Sequence, residues 1–145
     1  MQDPVELERG DQGLEPLSQA ECERRLRAGG VGILAMTGSP APVLRPVNFA
    51  VHDGGLLMRT GEGRILEAAA RGEPASFVVS EVDRFEHTGF SVVVSGTLAA
   101  FEREASEALA QVALRPWARA DKHHFVRLSI DAISGRRLAE WGFPP

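Results

Sequence analysis

The sequence has little cysteine, no excess of positive charge and no long apolar run. Cys22 is the single cysteine among 145 residues, which excludes an internal disulfide and fits a reducing compartment. The formal net charge of −4 argues against a general nucleic-acid binder, which usually carries a basic face. The apolar runs are too short to span a bilayer, and residues 1–13 lack the apolar core of a signal peptide. We therefore expect a cytoplasmic protein without nucleic-acid or membrane partners.

The composition is that of a globular domain, with 43% hydrophobic and 25% charged residues. A chain of this length can bury a core without disulfides or metals. Residues 1–16 are charged and carry glycine and proline, so we expect a flexible N-terminal arm there. Residues 17–145 are then expected to form a single domain.

The first predicted helix spans Leu17–Ala28. Ser18 and Glu21 have the spacing of a capping box, in which the hydroxyl accepts a hydrogen bond from the amide of Glu21. Glycines at 29 and 30 end the helix, since glycine tolerates the left-handed conformation found there. We interpret Cys22 as a small apolar residue on the buried face of this helix rather than as a reactive thiol.

Short apolar runs separated by turn residues predict about six strands. They are joined mostly as hairpins, with Asp53-Gly54 as the strongest turn signal, and regular βαβ alternation is missing. Further helices are predicted over residues 63–71 and 102–114. This pattern predicts a mainly β (α+β) fold, an antiparallel barrel with peripheral helices. The predicted strands span residues 31–37, 43–51, 56–60, 75–82, 89–101 and 125–130, with a last short strand at 136–138.

The longest predicted strand, residues 89–101, is apolar on both sides of its alternation. Both of its faces are therefore expected to be covered, one by the barrel core and the other by a helix or a second subunit. Gly96 is a candidate for a sharp bend in this strand.

A candidate binding site lies between Val43 and Leu66. Pro46 cannot donate to a strand ladder, so the strand is expected to have an edge or a bulge there. Asn48, beside apolar neighbours, suits a flat ring lying along the strand, although it can equally bond its own backbone. Arg45 faces either such a ligand or the solvent.

The exit of the next strand has the composition of a phosphate cradle. Thr60-Gly61-Glu62-Gly63 precedes a helix, whose first amides are unsatisfied and favour an anion. Arg59 and Arg64 can add charge-assisted hydrogen bonds, although arginines around a loop are usually solvated. Together with the strand before it, this cradle leads to the hypothesis of a flavin mononucleotide (FMN) site.

In these segments the chain resembles the pyridoxamine 5′-phosphate oxidase-like flavoproteins, the FMN-binding split β-barrel group, and most of all their small nitroimidazole-reductase-like branch. The resemblance extends from Leu17 to Leu138 and depends on the order and spacing of several segments rather than on one motif. These are LSQAECERRLRAGGVGILA, RPVNFAV, LLMRTGEGRIL, TGFSVVVSGTL and AISGRRL.

The resemblance implies a six-stranded split barrel and a homodimer with FMN at the subunit interface. Arg45, Pro46, Val47 and Asn48 would then lie along the isoalloxazine ring. Arg59, Thr60 and Arg64 would hold the phosphate, together with the helix start at Gly63. The segment Phe90-Ser91-Val92 would approach the flavin or the dimer seam, which makes Ser91 a further candidate.

The implied activity is that of an FMN-dependent oxidoreductase acting on a small molecule, with no catalytic residue assigned. The family's namesake uses an arginine and a histidine near its C-terminus for substrate phosphate, whereas residues 135–145 here contain no histidine; this counts against the vitamin substrate. The alternatives are a non-enzymatic carrier or sensor that binds flavin, deazaflavin or haem, and a scaffold for dimerisation. No metal site is predicted, since His123 and His124 would point to opposite faces of a strand.

Overall fold

The structure, a computed structural model, describes residues 14–101 and 124–138. Within these ranges the chain forms eight strands and two helices. The predicted helix over residues 102–114 and the first 13 residues of the predicted arm lie outside them. The elements are β1 (Leu14–Pro16), α1 (Gln19–Arg27), β2 (Gly30–Met36), β3 (Val43–His52), β4 (Gly55–Thr60), α2 (Arg64–Arg71), β5 (Pro74–Asp83), β6 (Thr88–Ala100), β7 (His124–Ser129) and β8 (Ala132–Leu138).

Six of these strands close into an antiparallel barrel in the order β6-β5-β2-β3-β4-β7, and pairing between β7 and β6 completes the circle. This confirms the predicted six-stranded split barrel. The predicted short strand at residues 136–138 is the end of β8, which pairs with the first half of β6 outside this circle. Leu14–Pro16, placed in the flexible arm by the prediction, instead pairs with β8 as β1.

Strand β6 changes its neighbour at Gly96. One edge of β6 pairs with β5 along its length, while the other edge pairs first with β8 and then, from Leu98 onward, with β7. A Cβ atom at Gly96 would overlap the carbonyl oxygen of Ser129, where the chain passes from β7 towards β8. Glycine is therefore required at this position because another stretch of backbone lies against it.

The barrel core comes from the inward side of the strand alternation. Phe49 and Phe77 meet edge to face, with ring centroids 4.7 Å apart, and Val92 and Val94 on β6 are fully buried. The outward Val93 is exposed. Among the described residues, the outer face of β6 is therefore open at this point, and the predicted cover by a helix or a second subunit stays a prediction.

Helix α1 begins at the predicted cap. The hydroxyl of Ser18 accepts a hydrogen bond from the amide of Glu21 (3.2 Å), and Cys22 and Leu26 are buried. The thiol is 1% exposed, which confirms the interpretation of Cys22 as an apolar core residue. Burial raises its pKa and so disfavours the reactive thiolate. No helix among the described residues is long and apolar enough to cross a membrane.

Candidate functional site

Strands β3 and β4 form the predicted hairpin and then part. Asp53 and Gly54 make the turn with φ of 49° and 71°, and the ladder runs from His52–Gly55 to Phe49–Met58. Beyond that pair, β3 continues against β2 alone and β4 against β7 alone. We call this gap the β3–β4 opening; Val43–Asn48 bounds one side and Arg59–Thr60 the other.

The four predicted ring residues lie on the β3 side of the opening, but on two faces. Arg45 and Val47 share the inward face with the core, whereas Pro46 and Asn48 face outward. Val47 is buried; Arg45 is exposed, and its Nη1 donates to the carbonyl of Leu44 (3.0 Å). Pro46 lies opposite Ile33 of β2 and has no β4 neighbour, which confirms the predicted edge.

The predicted phosphate residues lie on the other side of the opening. Thr60 is buried, and its hydroxyl donates to the carbonyl of Gly61 (3.2 Å). Arg59 is half-buried, with its guanidinium carbon 5.9 Å from the centre of the Phe125 ring. The N-cap of α2 is Gly63, at a φ of 139° that favours glycine, so no side chain caps the helix. Its first-turn amides therefore have no side-chain acceptor, which fits an anion at this end.

Arg64 does not join this cradle directly, because a carboxylate holds it. Its Nη1 is 2.7 Å from Glu73, and its Nη2 donates to the carbonyl of Thr37 (2.8 Å). Glu73 follows the C-terminal end of α2, a helix about 12 Å long. The Arg64 side chain must therefore run beside the helix rather than ahead of its N-terminus. We call these three residues the Arg64 clamp; they join the start of α2 to the strand ends around it.

The ion pair in the Arg64 clamp predicts an acid-sensitive contribution to stability. The hydrogen bond from Arg64 lowers the pKa of Glu73 below its usual range. The pair therefore stabilises the fold above the pKa of the unfolded carboxyl, roughly 4.3, and this stabilisation is lost as pH falls through the lower folded-state pKa. Thermal unfolding from about pH 7 to about pH 3 should show the unmodified protein and Glu73→Gln converging at the acid end. Glu86→Gln is the control, since Glu86 is exposed in the β5–β6 hairpin, away from the Arg64 clamp. A constant difference between the protein and Glu73→Gln would contradict the assignment.

Ser91 is not brought together with the other predicted site residues within one chain. It pairs with Ser80 of β5 and Arg136 of β8. Strands β2 and β5 separate its strand from β3, a lateral distance of about 14 Å along the sheet. A role for Ser91 at the β3–β4 opening requires a second copy of the chain.

Two residues near the opening were missed by the sequence analysis. Glu73 follows a helix-ending glycine, and nothing in its sequence position indicates that it meets a side chain nine residues earlier. His124 pairs with Thr60 across β4 and β7; only the fold brings them together. Among the described residues, no three histidine, cysteine or acidic side chains cluster as metal ligands do.

Comparison with known proteins finds similar structures that match nearly the whole length of this chain. A crystal structure of a candidate pyridoxamine 5′-phosphate oxidase from Corynebacterium glutamicum is 27% identical, with a TM-score of 0.71; the match covers 90% of this chain and 97% of that one. The structure of an FAD-binding protein from Mycobacterium smegmatis is 28% identical, with a TM-score of 0.64 over 86% and 97%.

The fold also matches a candidate 5-nitroimidazole antibiotic resistance protein from Bacteroides thetaiotaomicron. That crystal structure is 16% identical, with a TM-score of 0.65 over 87% of this chain and 89% of that one; this identity supports a shared fold alone. The family model described as pyridoxamine 5′-phosphate oxidase matches residues 18–137. The chain therefore belongs to the pyridoxamine 5′-phosphate oxidase family, as the resemblance of its segments predicted.

Proposed function

We propose that this chain is a flavin-dependent oxidoreductase that binds FMN in the β3–β4 opening and acts on a small molecule. The observation that best supports this is the opening itself. Two strands part beside the start of α2, where the glycine cap leaves the first-turn amides without a side-chain acceptor. A strand edge on one side suits a flat ring, and the helix start on the other suits a phosphate.

In this proposal the phosphate binds to the first-turn amides of α2 and to Arg59 and Thr60. Gly63 allows close approach, since it presents no side chain at the helix start. Arg64 reaches the phosphate only by exchanging a bond that it makes with Glu73 or Thr37. The Arg64 clamp therefore places one of the two cradle arginines in competition between an internal carboxylate and the cofactor.

The ring is proposed to lie along β3, from Arg45 to Asn48. A bound flavin supplies hydride or electron transfer, which explains why no catalytic acid or base stands out in the chain. Arg45 is exposed beside the opening and is our candidate for offsetting negative charge near the pyrimidine edge. Asn48 offers an amide for hydrogen bonding, while the buried Val47 can contribute only its backbone.

We propose that the functional unit is a homodimer, built through the outer face of the sheet. Pro46, Ile33, Val78 and Val93 lie in one row across β3, β2, β5 and β6. Ile33 and Val93 are exposed in this row, and Leu44 beside it is 58% exposed. Apolar side chains grouped on one face are typical of an interface, and a partner subunit there can bring its Ser91 towards the opening.

The dimer proposal predicts that Ile33→Asp produces monomers, because it would bury a charge in the apolar row. Sedimentation velocity on the unmodified protein should give a dimer, and Ile33→Asp should give the monomer. Val82→Asp is the matched control, since Val82 is an exposed valine at the far end of β5. A monomeric unmodified protein, or dissociation caused by Val82→Asp and not by Ile33→Asp, would contradict the proposed interface.

FAD is the second candidate for the cofactor, because the similar Mycobacterium smegmatis protein is named as FAD-binding. The two flavins share the ring and differ beyond the first phosphate. Chromatography of the flavin released by denaturing the purified protein separates FMN from FAD. Recovery of FAD would keep the proposed ring site and replace the FMN assignment.

The oxidoreductase proposal is tested by adding FMN to the purified protein and then a reduced nicotinamide without oxygen. The expected result is quenching of flavin fluorescence on binding, followed by bleaching of the visible flavin spectrum. Binding without reduction by any donor tested would favour the carrier or sensor alternative. If no FMN or FAD binds, the flavin proposal fails, and a deazaflavin cofactor and haem are the next ligands to test.

A further inference from the structure

A second candidate site lies between α1 and the β5–β6 hairpin. We call it the hairpin groove; its volume is about 810 Å³. The groove lies at the Asp83 end of β5, while the Arg64 clamp lies before Pro74 at the other end. Ten strand residues separate the two places, a distance of about 30 Å. Its lining includes Arg25, Val82, Phe85, Phe90 and Arg137.

Arg25 is the distinctive residue of the hairpin groove. Its neighbours on α1 are paired within the helix, Arg24 with Glu21 at 2.6 Å and Arg27 with Glu23 at 3.6 Å. The Arg25 guanidinium instead lies over the Phe90 ring, 4.5 Å from its centre. Its Nε is buried and donates to no acceptor in the described part of the chain. A guanidinium packed in this way keeps its charge and the donors that recognise a carboxylate.

Two of the other charged residues of the groove, Asp83 and Arg137, are engaged elsewhere. One carboxylate oxygen of Asp83 accepts hydrogen bonds from the amides of Phe85 (2.9 Å) and Glu86 (3.1 Å) inside the hairpin turn. Arg137 donates to Glu15 of β1 at 2.7 Å. Glu81 and Arg84 line the groove as opposite charges. Arg25 itself forms no ion pair with a carboxylate of the described residues.

The apolar lining is unusually exposed. Phe85 at the hairpin tip is 96% exposed and Val82 is 66% exposed, and both border the same groove as the Phe90 ring. We propose that the hairpin groove binds an organic anion with a flat apolar body. The anionic group pairs with Arg25, and the apolar body packs against Phe90, Val82 and Phe85. This proposal does not depend on the flavin site.

Benzoate is the probe, and the amide resonances of the full-length protein report its position. Titration should shift the amides of Gly89 and Phe90, and benzyl alcohol, which has the same ring without the charge, should bind at least about tenfold more weakly. Arg25→Gln should weaken benzoate binding by about tenfold or more. Arg24→Gln is the matched control and should leave it unchanged, since Arg24 is paired with Glu21 outside the groove.

The comparison of benzoate with benzyl alcohol uses the unmodified protein, so it holds even if Arg25→Gln fails to fold. Equal binding of the two probes would overturn the proposal. It would also fail if benzoate moved no amide around Gly89, or if Arg25→Gln folded and bound benzoate as tightly as the unmodified protein. Loss of FMN binding in a separate experiment has no bearing on these outcomes.

Discussion

Replacing both Arg59 and Arg64 by alanine is expected to weaken FMN binding by about 100-fold or more. In the proposed site Arg59 makes a charge-assisted contact with the phosphate, and Arg64 adds a second one when it exchanges a bond with Glu73 or Thr37. Such contacts are each worth about 1.5–3 kcal/mol. The two together therefore correspond to at least about two orders of magnitude in Kd. Quenching of FMN fluorescence in titrations of the two proteins measures this ratio.

Riboflavin is the control that separates phosphate binding from a general loss of structure. It carries the same ring without the phosphate, so the unmodified protein should prefer FMN and the double variant should lose that preference. Arg64 also supports the fold through Glu73 and Thr37, so thermal unfolding of the variant must accompany the titration. Equal loss of FMN and riboflavin binding, or no loss of either, would contradict the phosphate cradle.

Gly96→Ala is expected to destabilise the barrel by about 3 kcal/mol or more, or to prevent folding. The new methyl group would occupy the space of the Ser129 carbonyl, with the Ser129 side chain also nearby. Backbone atoms cannot move aside as the end of a flexible side chain can. Ser129 is also held in place because its hydroxyl accepts a hydrogen bond from the amide of Thr97 (2.9 Å). A fall in Tm of roughly 10 °C is the expected readout.

Gly72→Ala provides the comparison for this prediction. Gly72 ends α2 with a φ of 65°, and open space surrounds the position of its Cβ. Its substitution should cost only about 1 kcal/mol of backbone strain. If Gly96→Ala proved no more destabilising than Gly72→Ala, this would contradict the inference that the backbone of Ser129 lies too close to Gly96 for a side chain.

Local signals predicted the hairpins and helix starts well, because their causes lie in neighbouring residues. Asp53-Gly54 makes the β3–β4 turn since both residues adopt a positive φ. Ser18 caps α1 through an amide three residues away. The Pro46 edge follows from a missing donor on one residue. Each of these features needs only a short stretch of chain to be recognised.

Pairings between segments far apart in the chain could not be predicted from the sequence. Strand β1 has three residues and exists because β8 lies beside it, so composition alone indicated an arm. The two neighbours of β6 meet at Gly96, which the sequence marked only as a candidate bend. The pair of Arg64 and Glu73 depends on how α2 ends and turns back. These contacts form between segments that are separated in the chain, where periodicity carries no information.

The sequence predicted which residues belong to the candidate site, and the fold shows where they lie relative to one another. Arg45 and Asn48 lie across an opening from Arg59 and Thr60, as a ring and phosphate site requires. The strand alternation divides the ring residues between two faces, and Arg64 is tied to Glu73. Ser91 is on β6, separated from β3 by the two strands β5 and β2. Its proposed role depends on a second subunit, which a single chain cannot provide.

The central claim is that flavin lies in the β3–β4 opening, and amide chemical shifts of the full-length protein test it most directly. Titration with FMN should shift the amides of Val47 and Asn48 on β3 and those of Thr60, Gly63 and Arg64 on the other side. Shifts on both sides of the opening, including the start of α2, are the predicted result. Shifts confined to α1 and β8, with the amides from Thr60 to Arg64 unmoved, would contradict the claim.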